Sequence, residues 1–226
     1  MSVRTKILAA ALVFFSGSLL ADPAANRWIT DFVKQRHLIR DFEADVTTTI
    51  ESPMFTQAQV QSARLYQKGD QYPKMVFTSP VEAISIVNPQ ELINVDALGN
   101  VSRSPNSNGS DATDWVNGSN PEAIFEKVEF SVLRETGTEV HLKGTPIAAA
   151  GDLGFSSIEA VFLKNPVLLK QLDLYSGKNR NLGMSLDYIT ISSVPVLKQT
   201  VINVAMVTPG KDQTITLKTT VAYDKI

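Results

Sequence analysis

What most constrains this chain is a run of short segments in which apolar and polar residues alternate, joined by turn residues and not by helices. Phe42, Ala44 and Val46 alternate with Glu43, Asp45 and Thr47, the pattern of a half-buried strand. The same period predicts strands over 62–67, 74–78, 83–87, 91–96, 128–134 and 138–143. It continues over 157–163, 168–175, 182–192, 198–207 and 214–223. Gly69-Asp70, Asn88-Pro89, Gly99-Asn100, Thr136-Gly137, Asn165-Pro166 and Gly177-Lys178 sit at the junctions. Such dipeptides connect antiparallel neighbours. Hairpins following one another without crossover helices exclude a doubly wound parallel sheet. The expectation is a mainly β, antiparallel fold.

Helices are expected in two places. Trp28, Ile29, Phe32 and Val33 give 24–38 an apolar stripe, read as a packing face more readily than a membrane-binding one. Asn26 or Thr30 is placed to cap an early turn, while Lys34, Arg36 and Arg40 suit the C-terminal dipole. A short helix through Ile124 and Phe125 follows Asn120-Pro121-Glu122, a cap with proline at the first helical position. Before it, 102–120 is rich in Ser, Asn, Asp and Gly and reads as a loop. A second irregular stretch is expected over 144–155. No internal repeat or domain boundary is visible.

The first 21 residues read as a secretory signal peptide. Arg4 and Lys6 form a basic n-region, Ile7 to Phe15 an apolar stretch, and Ala21 a small residue before the expected cut. That stretch falls short of the roughly 20 residues needed to cross a bilayer. The expected product is an exported, soluble, single domain over 22–226. Its ~205 residues are enough to bury a sizeable core. The chain has no cysteine, which excludes a disulfide framework, a thiolate site and an N-terminal lipid anchor on cysteine. Loss of Arg4 and Lys6 deepens the formal charge of −2. A mildly acidic chain without a basic block argues against nucleic acid as partner.

Catalytic signals are missing from the sequence. Of the two histidines, His37 lies near the end of the first helix, and His141 alternates with Val140 and Leu142 as a solvent-facing strand residue. Neither belongs to a metal-spaced cluster. No nucleophile elbow, phosphate loop or dinucleotide fingerprint occurs. The reading is of a protein that is not an enzyme and carries no cofactor or metal. Apolar side chains remain to be placed: Met75, Phe77, Ile84, Ile86, Leu182, Met184 and Leu186 all alternate with polar or small neighbours. They form either the closed core of a sandwich or barrel, or a concave face left open to an apolar ligand.

From 62 to 95 the order of these pieces resembles the periplasmic outer-membrane lipoprotein carrier family, the LolA-like proteins. Ala63-Arg64-Leu65-Tyr66-Gln67-Lys68 is similar to that family's second strand. Lys74-Met75-Val76-Phe77-Thr78-Ser79-Pro80 is similar to its third, and Val81 to Val87 to the next, with Asn88-Pro89-Gln90 as the turn. The helix followed by Phe42-Glu43-Ala44 matches in order, as do Leu186-Asp187-Tyr188, Val194-Pro195 and the Thr-rich strand over 214–220. The resemblance implies an incomplete antiparallel β-barrel, a half-barrel, with a few covering helices. It implies an apolar cavity lined by Phe42, Leu65, Met75, Phe77, Ile84, Ile86, Met184 and Leu186, under a lid carrying Trp28, Phe32 and Phe125.

The function implied is that of a monomeric periplasmic carrier. It would bind the acyl chains of a lipoprotein or lipid and shuttle them from a membrane donor complex to an outer-membrane acceptor. The alternative is a non-enzymatic regulatory or interaction domain of the envelope on the same fold. One departure stands out: the family has an arginine in the turn before the third strand, where this chain has Gly69. Lys68 and Lys74 flank that turn but supply no planar bidentate donor.

Overall fold

The computed structural model describes residues 22–36, 41–68, 73–87, 91–105, 122–148, 153–207, 214–224 and 226. The expected signal peptide, His37, Gly69, the 88–90 turn and 106–120 lie outside the described residues. The strands are β1 (Asp41–Glu51), β2 (Gln59–Lys68), β3 (Lys74–Ser79), β4 (Ala83–Val87), β5 (Glu91–Asp96), β6 (Val101–Pro105), β7 (Val128–Glu135) and β8 (Glu139–Pro146). They continue with β9 (Ser157–Lys164), β10 (Val167–Ser176), β11 (Asn179–Ile191), β12 (Val194–Val207) and β13 (Thr214–Asp224). Helices α1 (Pro23–Arg36) and α2 (Glu122–Phe125) complete the described elements. Two expectations need correction. Residues 102–105, read as loop, are part of β6, paired to β5 from Glu91↔Pro105 to Val95↔Val101. The stretch expected to be irregular from Gly144 begins three residues later, because Phe130↔Gly144 and Val128↔Pro146 extend the ladder.

All thirteen strands form one antiparallel sheet in the order β6-β5-β4-β3-β2-β1-β13-β12-β11-β10-β9-β8-β7. It consists of two meanders, β1–β6 and β7–β13, joined where β1 pairs β13 from Asp45↔Asp224 to Glu51↔Lys218. The two ends, β6 and β7, are not paired to each other, so the sheet is an incomplete barrel. A sheet this wide curls instead of lying flat. Register shifts in the ladders at Ser62/Ala63, Val132/Arg134, Leu169/Gln171, Leu174/Tyr175 and Asp187/Tyr188 add local twist.

The core lies where α1 covers the inner face of the second meander. Ala25, Trp28, Ile29, Phe32 and Val33 form the helix stripe, and α1 packs on β7 and β10. Phe32 meets Phe162 at 5.4 Å between ring centres and Phe125 at 5.9 Å, both edge-on, and Phe125 meets Phe130 at 5.6 Å. Beneath them Leu142, Ile158, Leu172 and Leu174 are fully buried. Gly144 permits the approach of β7 and β9. A Cβ there would lie 2.7 Å from Ile158 Cγ2 and 2.8 Å from Phe130 Cε1, and would collide with Val128 Cγ1.

The start of α1 is fixed differently from the sequence expectation. The cap is Asp22, not Asn26 or Thr30. Its Oδ1 accepts from Ala24 N at 2.9 Å, ahead of Pro23 at the first helical position. Its Oδ2 accepts from Val132 N at 3.1 Å, so one carboxylate ties the helix to edge strand β7. At the far side of the helix, Lys164 Nζ reaches Thr136 O and Glu135 Oε1 at 2.6 Å and lies over the Trp28 ring.

Two outcomes follow. Gly144→Ala is expected to destabilise the fold by about 1–3 kcal/mol through overpacking. Equilibrium denaturation would show a lower midpoint with an unchanged slope. For Asp22, the backbone bonds from Val132 and then Ala24 hold the carboxyl below the usual carboxylate range. A depressed folded value means the clamp is intact above about pH 4 and weakens as the pH falls through that folded value. Protection of α1 amides, taken relative to the intrinsic exchange rate at each pH, should therefore fall at acid pH, and Asp22→Ala should show the low protection already at neutral pH.

Candidate functional site

Register decides which side chains share the inner face. One row runs Tyr223, Val46, Ala63, Phe77 and Ala83 across β13, β1, β2, β3 and β4. The next runs Ala44, Leu65, Met75, Ser85, Asn94 and Ser102 from β1 to β6. Phe42 lies one further step along β1, opposite Gln67. Ala44, Val46, Ala63 and Leu65 are buried, whereas Phe42, Met75 and Phe77 are half-buried. Alanines line this part of the face where the second meander carries Phe130, Leu142 and Phe162. The buried small side chains and the half-buried large ones together make an apolar strip, the trough, along β1–β3.

A depression of about 540 Å³ opens at the strand ends beside Phe42, lined also by Asp41, Glu43, Tyr66, Gln67 and Lys68. Its apolar contribution comes from Phe42 and Tyr66. Arg64, on the outer face, donates to Asp45 Oδ1 at 2.8 Å and Glu43 Oε2 at 2.9 Å. Those carboxylates push its guanidinium above its usual value, Glu43 foremost. Arg64 and Lys74 both lie near the Tyr66 ring. The positive side chains thus stay on the outer wall.

The expected cavity residues divide into three groups. Phe42, Leu65, Met75 and Phe77 come together in the trough. Met184 and Leu186 also face inward, but Met184 is buried in the core beneath α1 and Leu186 packs against that core. Ile84 and Ile86 do not join them. Their partners are Val76 and Lys74, so they project from the outer face, opposite to Met75 and Phe77. The reason is the β3–β4 turn, which sets the pairing Met75↔Ser85 and Phe77↔Ala83 and so inverts the apolar set of β4. Of the lid set, Phe32 and Phe125 are buried and Trp28 is partly buried, all packed on the core of the second meander.

Sequence reading missed the contribution of the last strand. Val221 and Tyr223 lie inward opposite Thr48 and Val46. Period two over Thr214–Asp224 was the available signal, since it puts Ile215, Leu217, Val221 and Tyr223 on one side. Burial raises the Tyr223 phenol above its ordinary value, with a hydrogen bond to Thr200 acting the other way. Elsewhere, His141 is half-buried, with Nε2 3.4 Å from Glu139 Oε2 and 3.5 Å from an Arg134 guanidinium nitrogen. Among the described residues no group of three or more His, Cys, Asp and Glu is placed to hold a metal ion.

This architecture recurs in solved structures of low sequence identity. A DUF1329 family protein from Desulfovibrio piger superposes with a TM-score of 0.64 at 14% identity, over 90% of this chain and 92% of that one. A LolA superfamily protein from Nitrosomonas europaea gives 0.58 at 12% identity, over 87% and 91%. A domain described as an outer membrane lipoprotein-sorting protein, from Vibrio parahaemolyticus, gives 0.58 at 14% identity, over 88% and 91%. No protein-family model matches the sequence. No curated protein matches it at the sequence level either. The fold is therefore LolA-like, an incomplete antiparallel barrel with covering helices, recognised through its structure.

Proposed function

We propose that this protein is a non-enzymatic, periplasmic carrier that takes the acyl chains of a lipoprotein or lipid into the apolar trough. It would move them toward the outer membrane. The observation that carries the reading is the inner face of β1–β3, where Phe42, Met75 and Phe77 stand half-buried around Ala44 and Ala63. A face that is apolar, floored by small residues and not fully closed suits a flexible hydrocarbon. Each methylene that leaves water contributes about 0.8 kcal/mol, so a chain can be held without catalysis or a fixed polar site. Release then requires an acceptor that offers more apolar contact. The likeness to the Vibrio lipoprotein-sorting domain supports this reading.

A second reading, a regulatory or interaction domain of the envelope, draws support from the outer face of β3–β6. There Val76, Ile84, Val95 and Val101 form one row and Ile86 and Ile93 extend it. Native mass spectrometry of protein purified from its own envelope separates the two. Co-purifying lipid supports the carrier, and a protein partner without lipid supports the interaction domain.

Mutation tests the trough directly. Met75→Asp should lower uptake of a fluorescent fatty acid at least tenfold while the β circular dichroism signal is kept. Ile86→Asp, on the opposite face, should leave uptake unchanged. Equal loss in both variants, or unfolding of Met75→Asp, would count against an open trough.

A further inference from the structure

Two residues are buried and polar among the described ones, Asp173 and Thr200. Asp173 has its partners at hand on the outer side of the sheet, Gln171 Nε2 at 2.6 Å and Arg180 at 3.4 Å. Thr200 is different. It lies on the inner face of β12, opposite Leu186 on one side and Val221 on the other, with 7% of its surface exposed. Tyr223, two residues further along β13 on that same face and opposite Val46, brings its phenol within side-chain reach of the Thr200 hydroxyl. The pair thus stands at the seam between the two meanders. The packed core under α1 begins on one side of it and the trough of Ala44, Val46, Ala63 and Leu65 lies on the other.

We propose that Thr200 and Tyr223 form a polar anchor in the trough that hydrogen-bonds the acyl carbonyl oxygen of the bound chain. The inference rests on the acyl-binding reading above and names which part of the ligand is recognised. Its physical basis is the cost of the hydroxyls themselves. A wall meant only for hydrocarbon is served by Val and Phe, and a buried hydroxyl is costly unless bonded. One bond between two hydroxyls does not exhaust them, because each has one donor and two acceptor sites. The Tyr223 phenol, like an ordinary tyrosine, is protonated at neutral pH, and burial pushes its pKa further up, so it remains a donor. A hydrocarbon offers that donor nothing, whereas an ester or carboxyl carbonyl placed over the seam accepts from it. The alkyl chain beyond the carbonyl then follows the small residues toward Met75 and Phe77.

The test measures binding of three pyrene-labelled probes of equal length to the exported full-length protein: the methyl ester of pyrene-dodecanoic acid, the free acid, and dodecylpyrene. The ester and acid arms distinguish an esterified chain from a free fatty acid as the natural ligand. Wild-type protein should prefer the carbonyl probes over dodecylpyrene by roughly five- to tenfold, the scale of one hydrogen bond. Tyr223→Phe should abolish that preference and leave dodecylpyrene binding unchanged. Thr200→Val, which removes the group that orients the phenol, should reduce the preference in the same direction. Loss of affinity for all three probes alike in Tyr223→Phe overturns the anchor, since the ring then serves packing alone. A preference that survives both substitutions, or that is missing from the wild type, also overturns it while leaving an apolar trough standing. Failure of every probe to bind the wild type overturns the acyl reading and the anchor together.

Discussion

The ladder between β1 and β13 is the connection on which the rest of the molecule depends. Each meander is stitched by local hairpins, but among the described residues the only sheet pairing between the two is this one, from Asp45↔Asp224 to Glu51↔Lys218. It closes the longest loop in the chain and therefore carries the largest entropic cost of any ladder here. Its hydrogen bonds are backed by side chains on both faces. Val46 and Tyr223 meet inside, while Lys218 Nζ reaches Glu51 Oε2 at 2.7 Å at the strand end. Once the ladder forms, the inner faces of both meanders become one surface, wider than a 14-residue helix can cover. A packed part and an uncovered part then follow from geometry.

Residue size decides which part is which. Under α1 the inner face carries Phe130, Leu142, Phe162, Leu172 and Leu174, and the helix contributes Phe32 into their midst. Those volumes interlock to a dry interior, where the cost of leaving space is high. Across the seam the corresponding positions are Ala44, Val46, Ala63 and Ala83. Ala44, Val46 and Ala63 are themselves buried, and the large side chains left partly exposed beside them are Phe42, Met75 and Phe77. The helix is also held to one side by its own attachments. Asp22 binds Val132 on β7, and Lys164 binds the β7–β8 turn while lying over Trp28. The helix-covered core and the strip that keeps large side chains partly exposed thus lie in different halves of one sheet.

Much of this was legible in the sequence, and the failures have physical causes. Period two located twelve of the strands, since each buries one face. The helix stripe of Trp28, Phe32 and Val33 was legible for the same reason. Strand β6 was hidden because Val101-Ser102-Arg103-Ser104-Pro105 is exposed throughout and has the composition of a loop. Edge strand β6, unlike β7 at the other end, has no buried side and so leaves no periodic trace. Asp22 was hidden because a cap is recognised by its bond to backbone, not by the apolar pattern. The candidate site was half legible. Alternation put Met75, Phe77, Ile84 and Ile86 together on the concave face, but period two does not say which side of each strand faces inward. That depends on where the turn between β3 and β4 fixes the register.

The inversion at this turn has a consequence for the trough itself. Along the row that starts at Ala44 and Leu65, Met75 is the last large apolar side chain, and Ser85, Asn94 and Ser102 follow. The apolar partners of those polar residues lie on the outer face, where Val76, Ile84 and Val95 shield one another as cross-strand neighbours. The hydrocarbon-compatible surface is therefore bounded on two sides by different means. Toward β12 it ends at the Thr200–Tyr223 pair and the packed aromatics. Toward β6 it ends at a hydrated serine- and asparagine-bearing wall, finished by an edge strand whose proline, arginine and serines discourage further pairing. A flexible chain lying across β1, β2 and β3 meets apolar surface along its length and polar surface at both ends. On the proposed carrier reading, that arrangement would limit the length of chain the sheet shelters.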